Sequence, residues 1–227
     1  MEGRFDELRR SKRFARILEL ILAIGNYLNG SSFRGGAYGF QLDALLMLKE
    51  VKSKGGNELG AASLLHYLAH LLNKDHRDLL TFMDELPHVE AAARVSFSAL
   101  LSSTSSLVQG LQNVKNEVRT LSNMKNRDPK DRFLIVMNNF VKRADPTVSS
   151  LQELASRLEQ ELQELLIYFG EDPATKPEDF FSIIVSFSSA LAKAQKENEA
   201  EQQKRSAALA AKQHPQLQLQ QALIFRQ

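Results

Sequence analysis

Apolar residues recur along most of this chain at the three- and four-residue spacing of an amphipathic α-helix, and no segment keeps the two-residue period of a strand for long. The first predicted helix runs from about Arg4 to Leu28, and a short one follows near Gln41–Lys49. Another covers Leu64–Leu72, and the helix after it, which we expect Asp75 to cap, ends before Pro87. The pattern therefore predicts an all-α protein.

Two later segments keep a repeat of seven residues. Between Ala93 and Leu121 the apolar positions alternate spacings of four and three, which predicts a long helix packed by coiled-coil rules. A second run extends to Phe169 and begins with Phe133, Met137, Phe140, Ala144 and Val148. The spacing from Ala144 to Val148 is one residue longer than the alternation of four and three requires, and it contains Pro146. We therefore expect a kink or short break there. The predicted architecture is an elongated helical bundle with long heptad-patterned, coiled-coil-like helices.

Proline and glycine separate these predicted helices. Asp128-Pro129 breaks the first heptad run from the second, with the aspartate suited to cap the next helix, and Gly170 ends the second run. The glutamine-rich segment 213–227 has an isolated apolar end. We expect that segment to be disordered or to fold only with a partner, which leaves residues 1–212 as the folded part.

Charge and composition exclude several classes of protein. The 29 basic and 27 acidic side chains leave a net charge of +2, so the concentrated basic excess typical of nucleic-acid binding is missing. There is no cysteine, which removes disulfides and thiolate metal sites and is compatible with the reducing cytoplasm. No apolar run approaches the roughly 20 residues that span a bilayer. We therefore expect a cytoplasmic protein that neither binds nucleic acid nor inserts into a membrane.

Two clusters of titratable residues were candidates for chemistry. His66 and His70 stand four apart on one predicted helix, but no third metal ligand is evident and the glutamate of an HExxH motif is absent. Asp84, Glu85 and His88 lie together beside a proline, which is ordinary at a turn between helices, and no nucleophile accompanies them. We expect no catalytic residue, no metal and no cofactor.

Three arginines, Arg9, Arg13 and Arg16, line one face of the first predicted helix. Acidic neighbours are interleaved with them, so a solvated surface is the plain interpretation and a basic strip facing an acidic partner is the sharper one. From the residues alone, the chain reads as a helical scaffold for protein interactions.

The glycine-rich segment between Gly25 and Phe40 carries more information. It lacks the Gly-Lys-Ser/Thr ending of a phosphate-binding loop. Gly25-Asn26-Tyr27-Leu28-Asn29-Gly30, followed by Arg34 and Ala37-Tyr38-Gly39-Phe40, instead resembles the signature of formin homology-2 domains: Gly-Asn-Tyr/Phe-Met-Asn, a gap, then Gly-Phe. Leu28 replaces the usual methionine, a swap of similar volume. Four more segments resemble the family in the right order: 48–53, 64–68, 85–95 and 168–173.

The resemblance, which covers about Phe5 to Lys212, implies an actin-assembly module. A complete domain of this family has a lasso, linker, knob, coiled coil and post, and two copies close head to tail with each lasso gripping the other's post. The ring binds the barbed end of an actin filament, nucleates filaments and stays attached as subunits add. Residues 1–212 are then expected to be the post and coiled-coil region, with the lasso, linker and most of the knob missing. Profilin would bind only through an absent proline-rich segment.

The resemblance also implies roles for individual residues. Lys52 aligns with a lysine that contacts actin in the family. Arg9, Arg13 and Arg16 gain weight as an actin-facing strip, although the family pattern does not single them out. The surface that receives the partner's lasso comprises Gly25, Asn26, Tyr27, Leu28, Asn29, Gly30, Arg34, Ala37, Tyr38, Gly39 and Phe40. The alternative is a generic helical coiled-coil scaffold without actin activity.

Overall fold

The computed structural model describes residues 6–30, 32, 35–52, 62–124 and 130–224, with side chains described to Ala208. Four predictions fall partly or wholly outside these residues. They are the start of the first helix at Arg4, the docking role of Arg34, the turn at Asp128-Pro129, and the disordered or partner-dependent segment 213–227.

Nearly all regular structure in the described ranges is helical, which confirms the all-α prediction. The elements are α1 Asp6–Arg10, α2 Lys12–Asn29, α3 Ala44–Met47, α4 Leu64–Asp75, a 3₁₀ helix Arg77–Glu85, α5 Val89–Ala92, α6 Phe97–Ser122, α7 Phe133–Tyr168 and α8 Pro177–Ile224. The β-structure in those ranges is a single antiparallel bridge between Lys52 and Ser63. Among the described helices, none has the length and apolar character needed to cross a membrane.

The chain divides into two compact units. One comprises Met1–Glu90 together with Phe181–Gln227, and the other comprises Ala91–Phe180. The candidate docking segment and Lys52 belong to the first unit, whereas α6 and α7 form most of the second.

The first predicted helix is in fact divided at Ser11. This residue has extended backbone angles and is the N-cap of α2, because its hydroxyl oxygen accepts the Phe14 N–H at 3.1 Å. The same hydroxyl donates to Glu85 Oε2 at 2.7 Å. A serine can sit inside a helix or cap one, and here the tertiary partner Glu85 favours the cap.

Aromatic rings form the centre of the first unit. Phe14 of α2 stacks on Phe82 of the 3₁₀ helix with 5.7 Å between ring centroids, and Phe82 meets Phe187 of α8 at 6.0 Å. All three side chains are buried. The expected cap at Asp75 was wrong: Asp75 is the last residue of α4, and His76 precedes a 3₁₀ helix that makes no side-chain cap bond.

In the second unit, the seven-residue repeat of buried positions has a different register from the predicted one. Leu134 is buried at 9% exposure, whereas the neighbouring Phe133, which the sequence pattern selected, is 38% exposed. Likewise Phe140 is exposed and Val141 is partly buried. In this register the spacings of three and four residues alternate without interruption, so no extra residue is needed near Pro146. The positions of this repeat, all buried or partly buried, are Leu134, Met137, Val141, Ala144, Val148, Leu151, Ala155, Leu158, Leu162, Leu165 and Phe169.

Helix α7 passes through Pro146 without ending, so the short break allowed by the sequence pattern is absent. The helix does end just before Gly170, as the sequence predicted. Gly170 has φ +70°, its N–H bonds the Ile167 carbonyl at 3.0 Å, and the Glu171 N–H bonds the Leu166 carbonyl at 2.9 Å. This pair of bonds is the Schellman motif, which satisfies the last helical carbonyls and favours glycine.

Candidate functional site

An apolar cavity lies beside the glycine-rich segment in the first unit. The end of α2, the segment 37–40, α3 and the start of α4 line a half-open cavity of about 220 Å³. Small-molecule sites usually measure roughly 300–1,000 Å³, so this cavity has the size for a side chain rather than for a cofactor. Its lining residues are Ile21, Leu22, Ile24, Gly25, Asn26, Asn29, Ala37, Gly39, Phe40, Ala44, Leu48, Leu64 and Leu68.

Asn26 holds the two sides of this cavity together. Its Nδ2 donates to the Ala37 carbonyl at 2.9 Å, and its Oδ1 accepts the Ala37 N–H at 2.8 Å. A side-chain amide offers a donor and an acceptor side by side, as a neighbouring strand would, and an aspartate or leucine does not. The asparagine therefore ties the segment after the turn to the last turns of α2.

The turn between them requires glycine at two positions. A Cβ at Gly35 would lie 2.7 Å from the Asn29 carbonyl oxygen and 2.9 Å from Gly30 Cα, which is too close. Gly36 has φ +72°, a conformation that other residues rarely adopt. The Asn29 carbonyl also accepts the Ser32 N–H at 2.8 Å, so the turn is closed by backbone contacts.

Gly25 and Gly39 line the cavity for a different reason. A Cβ at either position would meet no atom within 4 Å, and neither has a positive φ. On α2, Gly25 follows Ile21 by four residues and Leu22 by three, so it lies on the same helical face as these two lining residues. A glycine here leaves space in the cavity without being required by the backbone.

The eleven residues expected to receive a lasso fall into three groups. Gly25, Asn26, Asn29, Ala37, Gly39 and Phe40 line the cavity. Tyr27, Leu28 and Tyr38 are exposed on the surface and do not line it, with Tyr38 fully accessible at 104%. Gly30 closes the end of α2, and Arg34 lies outside the described residues. The described part of the motif therefore supplies both a cavity and an exposed aromatic surface.

Lys52 lies on a segment that continues from the wall of the cavity. Leu48 lines the cavity, and its carbonyl accepts the Leu65 N–H at 3.0 Å, while the Val51 carbonyl accepts the Leu64 N–H at 2.8 Å. These carbonyls satisfy the first N–H groups of α4, which a helix itself leaves unpaired. The Lys52 side chain is exposed beyond this anchored backbone.

The three arginines do not form one free strip. Arg9 is on α1, and Arg13 and Arg16 are on α2, after the break at Ser11. Arg13 Nη1 donates to the Thr81 carbonyl at 3.2 Å and its Nε lies 3.4 Å from Glu85 Oε1, so it joins α2 to the 3₁₀ helix. Arg16, which is exposed, pairs with Glu19 of the same helix at 2.6 Å.

Glu85 is engaged in these structural contacts. Its pKa lies below the ordinary value, chiefly because the Ser11 hydroxyl donates a hydrogen bond to it, with further contributions from the N–H and the charge of Arg13. His88, from the same sequence cluster, bonds Glu7 through Nδ1 at 2.9 Å. Their place in the structure is therefore accounted for by contacts with α1 and α2.

His66 has partners that the sequence did not predict. Its Nδ1 lies 2.8 Å from Ser63 Oγ and its Nε2 lies 2.8 Å from Glu197 Oε2 on α8. Both ring nitrogens are therefore engaged. In the part of the chain that the structure describes, no three histidine or acidic side chains are grouped as metal ligands would be. A glutamate 131 residues away carries no local signal that could have revealed this pair.

Comparison with known proteins gives a consistent result. The family described as Formin Homology 2 Domain matches residues 3–192. The chain is 36% identical over 195 residues to human Disheveled-associated activator of morphogenesis 2, covering 86% of the chain and 18% of that protein. It is 33% identical over 193 residues to Formin-A of Dictyostelium discoideum, covering 85% and 16%. For Protein diaphanous of Drosophila melanogaster the identity is 32% over 197 residues, covering 85% and 17%. The chain thus spans less than a fifth of the length of these relatives.

Proposed function

Because this chain belongs to the Formin Homology 2 family, whose members are non-enzymatic regulators of actin, we propose that it supplies the docking and actin-contacting part of a filament-assembly module. In a complete, head-to-tail dimeric domain it would contribute to barbed-end binding, nucleation and processive elongation within the cytoplasmic actin cytoskeleton. Its partners are actin and a second formin subunit.

The observation that carries this proposal is the apolar cavity at the glycine-rich signature. Six of the signature residues line it, and Asn26 holds its two sides together through Ala37. A buried aromatic anchor in such a cavity, surrounded by contacts that exclude water, is the usual energetic centre of a protein interface. We assign the cavity to an apolar side chain of the partner's lasso, and the exposed Tyr27 and Tyr38 to its surroundings.

Lys52 is the proposed actin contact. Its backbone is pinned by the bridge to Ser63, and its side chain is exposed. A lysine on a fixed backbone loses less freedom on binding than one on a mobile loop, so it suits an acidic contact. Arg9 and Arg16 extend the proposed basic surface, and Arg16 stays exposed although it pairs with Glu19 of its own helix. Arg13 contributes less because Thr81 and Glu85 of the 3₁₀ helix hold it against another element.

The actin contact is tested in a chimaera in which residues 3–208, that is the family match extended along α8 beyond Glu197, replace the corresponding segment of human Disheveled-associated activator of morphogenesis 2. Pyrene-actin assembly should be accelerated by this chimaera, and Lys52→Ala should weaken its barbed-end affinity by about tenfold or more, since lost charge contacts of this kind cost about 2 kcal/mol. Lys49→Ala is the matched control, because Lys49 belongs to the same segment and pairs only weakly with Glu50 at 3.8 Å. An inactive chimaera, or equal effects of the two substitutions, would contradict the proposal.

A further inference from the structure

Two side chains of α8 reach the start of α4, next to the Lys52 segment. Glu197 Oε2 lies 2.8 Å from His66 Nε2, and Asn198 Nδ2 donates to the His66 carbonyl at 2.8 Å. Both residues lie beyond position 192, where the family match ends.

Ser63 connects this pair to Lys52. It occupies the N-cap position of α4, yet its hydroxyl makes no bond to a helical N–H and instead meets His66 Nδ1 at 2.8 Å. The backbone of Ser63 forms the bridge with Lys52. The capping that its hydroxyl would ordinarily supply comes from the carbonyls of Leu48 and Val51. A chain of contacts therefore runs from Glu197 through His66 and Ser63 to Lys52.

The contacts of His66 determine which nitrogen of its imidazole ring carries the hydrogen. An ionised carboxylate only accepts, so the ring in its neutral form carries its hydrogen on Nε2 and offers Nδ1 as an acceptor to the Ser63 hydroxyl. The hydrogen bond from His66 also lowers the pKa of Glu197, which favours the ionised form. Without Glu197, nothing in these contacts selects that tautomer, and the Ser63 hydroxyl loses a fixed acceptor.

We propose that Glu197 and Asn198 are positioning residues for Lys52. They hold the start of α4, through His66 and Ser63, in the conformation that anchors residues 48–52, so that α8 determines where the lysine is presented. The inference rests on the proposed function in one respect, namely that the partner of Lys52 is actin.

The positioning is tested first without actin, by hydrogen exchange of the full 227-residue chain. Glu197→Ala and Asn198→Ala should speed exchange of the Leu64 and Leu65 amides about fivefold or more, because those amides bond the Lys52 segment. Glu197→Gln should largely restore protection, since its amide oxygen still accepts from His66. Glu199→Ala is the matched control: it removes the same charge from α8, and the bond described for Glu199 is to Gln195 of the same helix.

Nitrogen chemical shifts of His66 give a signature that a merely structural role would not produce. The parent chain and Glu197→Gln should show the Nε2–H tautomer, and Glu197→Ala should show a mixture. Unchanged shifts together with unchanged amide exchange in Glu197→Ala would overturn the inference.

Actin affinity of the full chain, measured by cosedimentation with filaments, separates the two proposals. Glu197→Ala should weaken binding several-fold, and it should add nothing once Lys52→Ala is present, because residues acting through one contact are not additive. If Lys52→Ala weakens binding while Glu197→Ala matches Glu199→Ala in every measurement, the positioning inference is wrong. If Lys52→Ala has no effect on actin but the exchange results hold, the proposed actin contact fails and the anchoring of the segment stands.

Discussion

Replacing Asn26 with alanine should loosen the docking cavity without unfolding the protein. The substitution removes both hydrogen bonds to Ala37, at 2.9 and 2.8 Å. Each is worth about 1 kcal/mol net, so the limit is about 2 kcal/mol, and the exposure of both bonds to water brings the expected loss closer to 1 kcal/mol. The global free energy of unfolding should change less than this, because alanine favours the helix by several tenths of a kcal/mol.

The lost energy should appear in binding, because the segment 37–40 would no longer be held in its docking conformation. A population shift of about 1–2 kcal/mol corresponds to about a five- to thirtyfold weaker apparent affinity. The assay is calorimetric titration of the chain with a peptide covering the lasso of human Disheveled-associated activator of morphogenesis 2. Asn26→Asp, which keeps the acceptor for the Ala37 N–H but loses the donor, should be intermediate.

The matched control is Asn113→Ala on α6, an exposed asparagine with no hydrogen bond described for it. It should bind the peptide as the parent does. The Ala37 amide should exchange faster in Asn26→Ala and at the parent rate in the control. An affinity of Asn26→Ala within twofold of the parent, with unchanged exchange at Ala37, would refute the reasoning.

Three further predictions concern the cavity, the helical register and acid stability. Gly25→Ala should stabilise the protein by about 0.5–1 kcal/mol in urea unfolding, because alanine favours the helix. It should nevertheless weaken binding of the lasso peptide in the calorimetric titration, because its methyl group enters the cavity. Leu134→Ala should cost about 2–4 kcal/mol in urea unfolding because Leu134 is buried, whereas Phe133→Ala, at 38% exposed, should cost less than about half as much. The lowered pKa of Glu85 means that its stabilising contribution is present above the ordinary value of 4.5 and is lost as the pH falls through the lower value in the folded state. Glu85→Gln should therefore be destabilised most at neutral pH and converge with the parent in acid, as measured by urea unfolding from pH 7 to pH 3.

Each of these has a distinct contrary result. A lower free energy of unfolding for Gly25→Ala than for the parent would show that the backbone requires the glycine. A larger loss for Phe133→Ala than for Leu134→Ala would restore the predicted register. A constant difference between Glu85→Gln and the parent across the pH range would mean that the charge of Glu85 does not contribute to stability.

The helical class, most helix positions and the family signature in the glycine-rich segment could be predicted from local patterns. The three-four spacing of apolar residues is a property of one helix, and Gly170, which has a positive φ, ended α7 as expected. The signature residues were identified as a set because they are contiguous or nearly so. Their division into cavity lining and exposed surface was not visible, since it depends on α3 and α4.

Register and breaks depended on partners that are distant in the sequence. Phe133 and Leu134 are adjacent apolar residues that both fit a helical period, and packing against α6 selects the second. Ser11 is compatible with a helix interior until Glu85, 74 residues away, accepts its hydroxyl. Periodicity records only which residues could share a face, so it cannot select between neighbours.

The surroundings of Lys52 illustrate the same division. The sequence identifies the lysine by its neighbours, and the fold supplies what anchors it: the Leu48 and Val51 carbonyls on the first amides of α4, and Glu197 on His66. Unpaired amides at a helix start must find acceptors somewhere, but which carbonyls they meet depends on where the chain returns. Local spacing is a property of the chain, and the partner of a polar group is a property of the packed molecule.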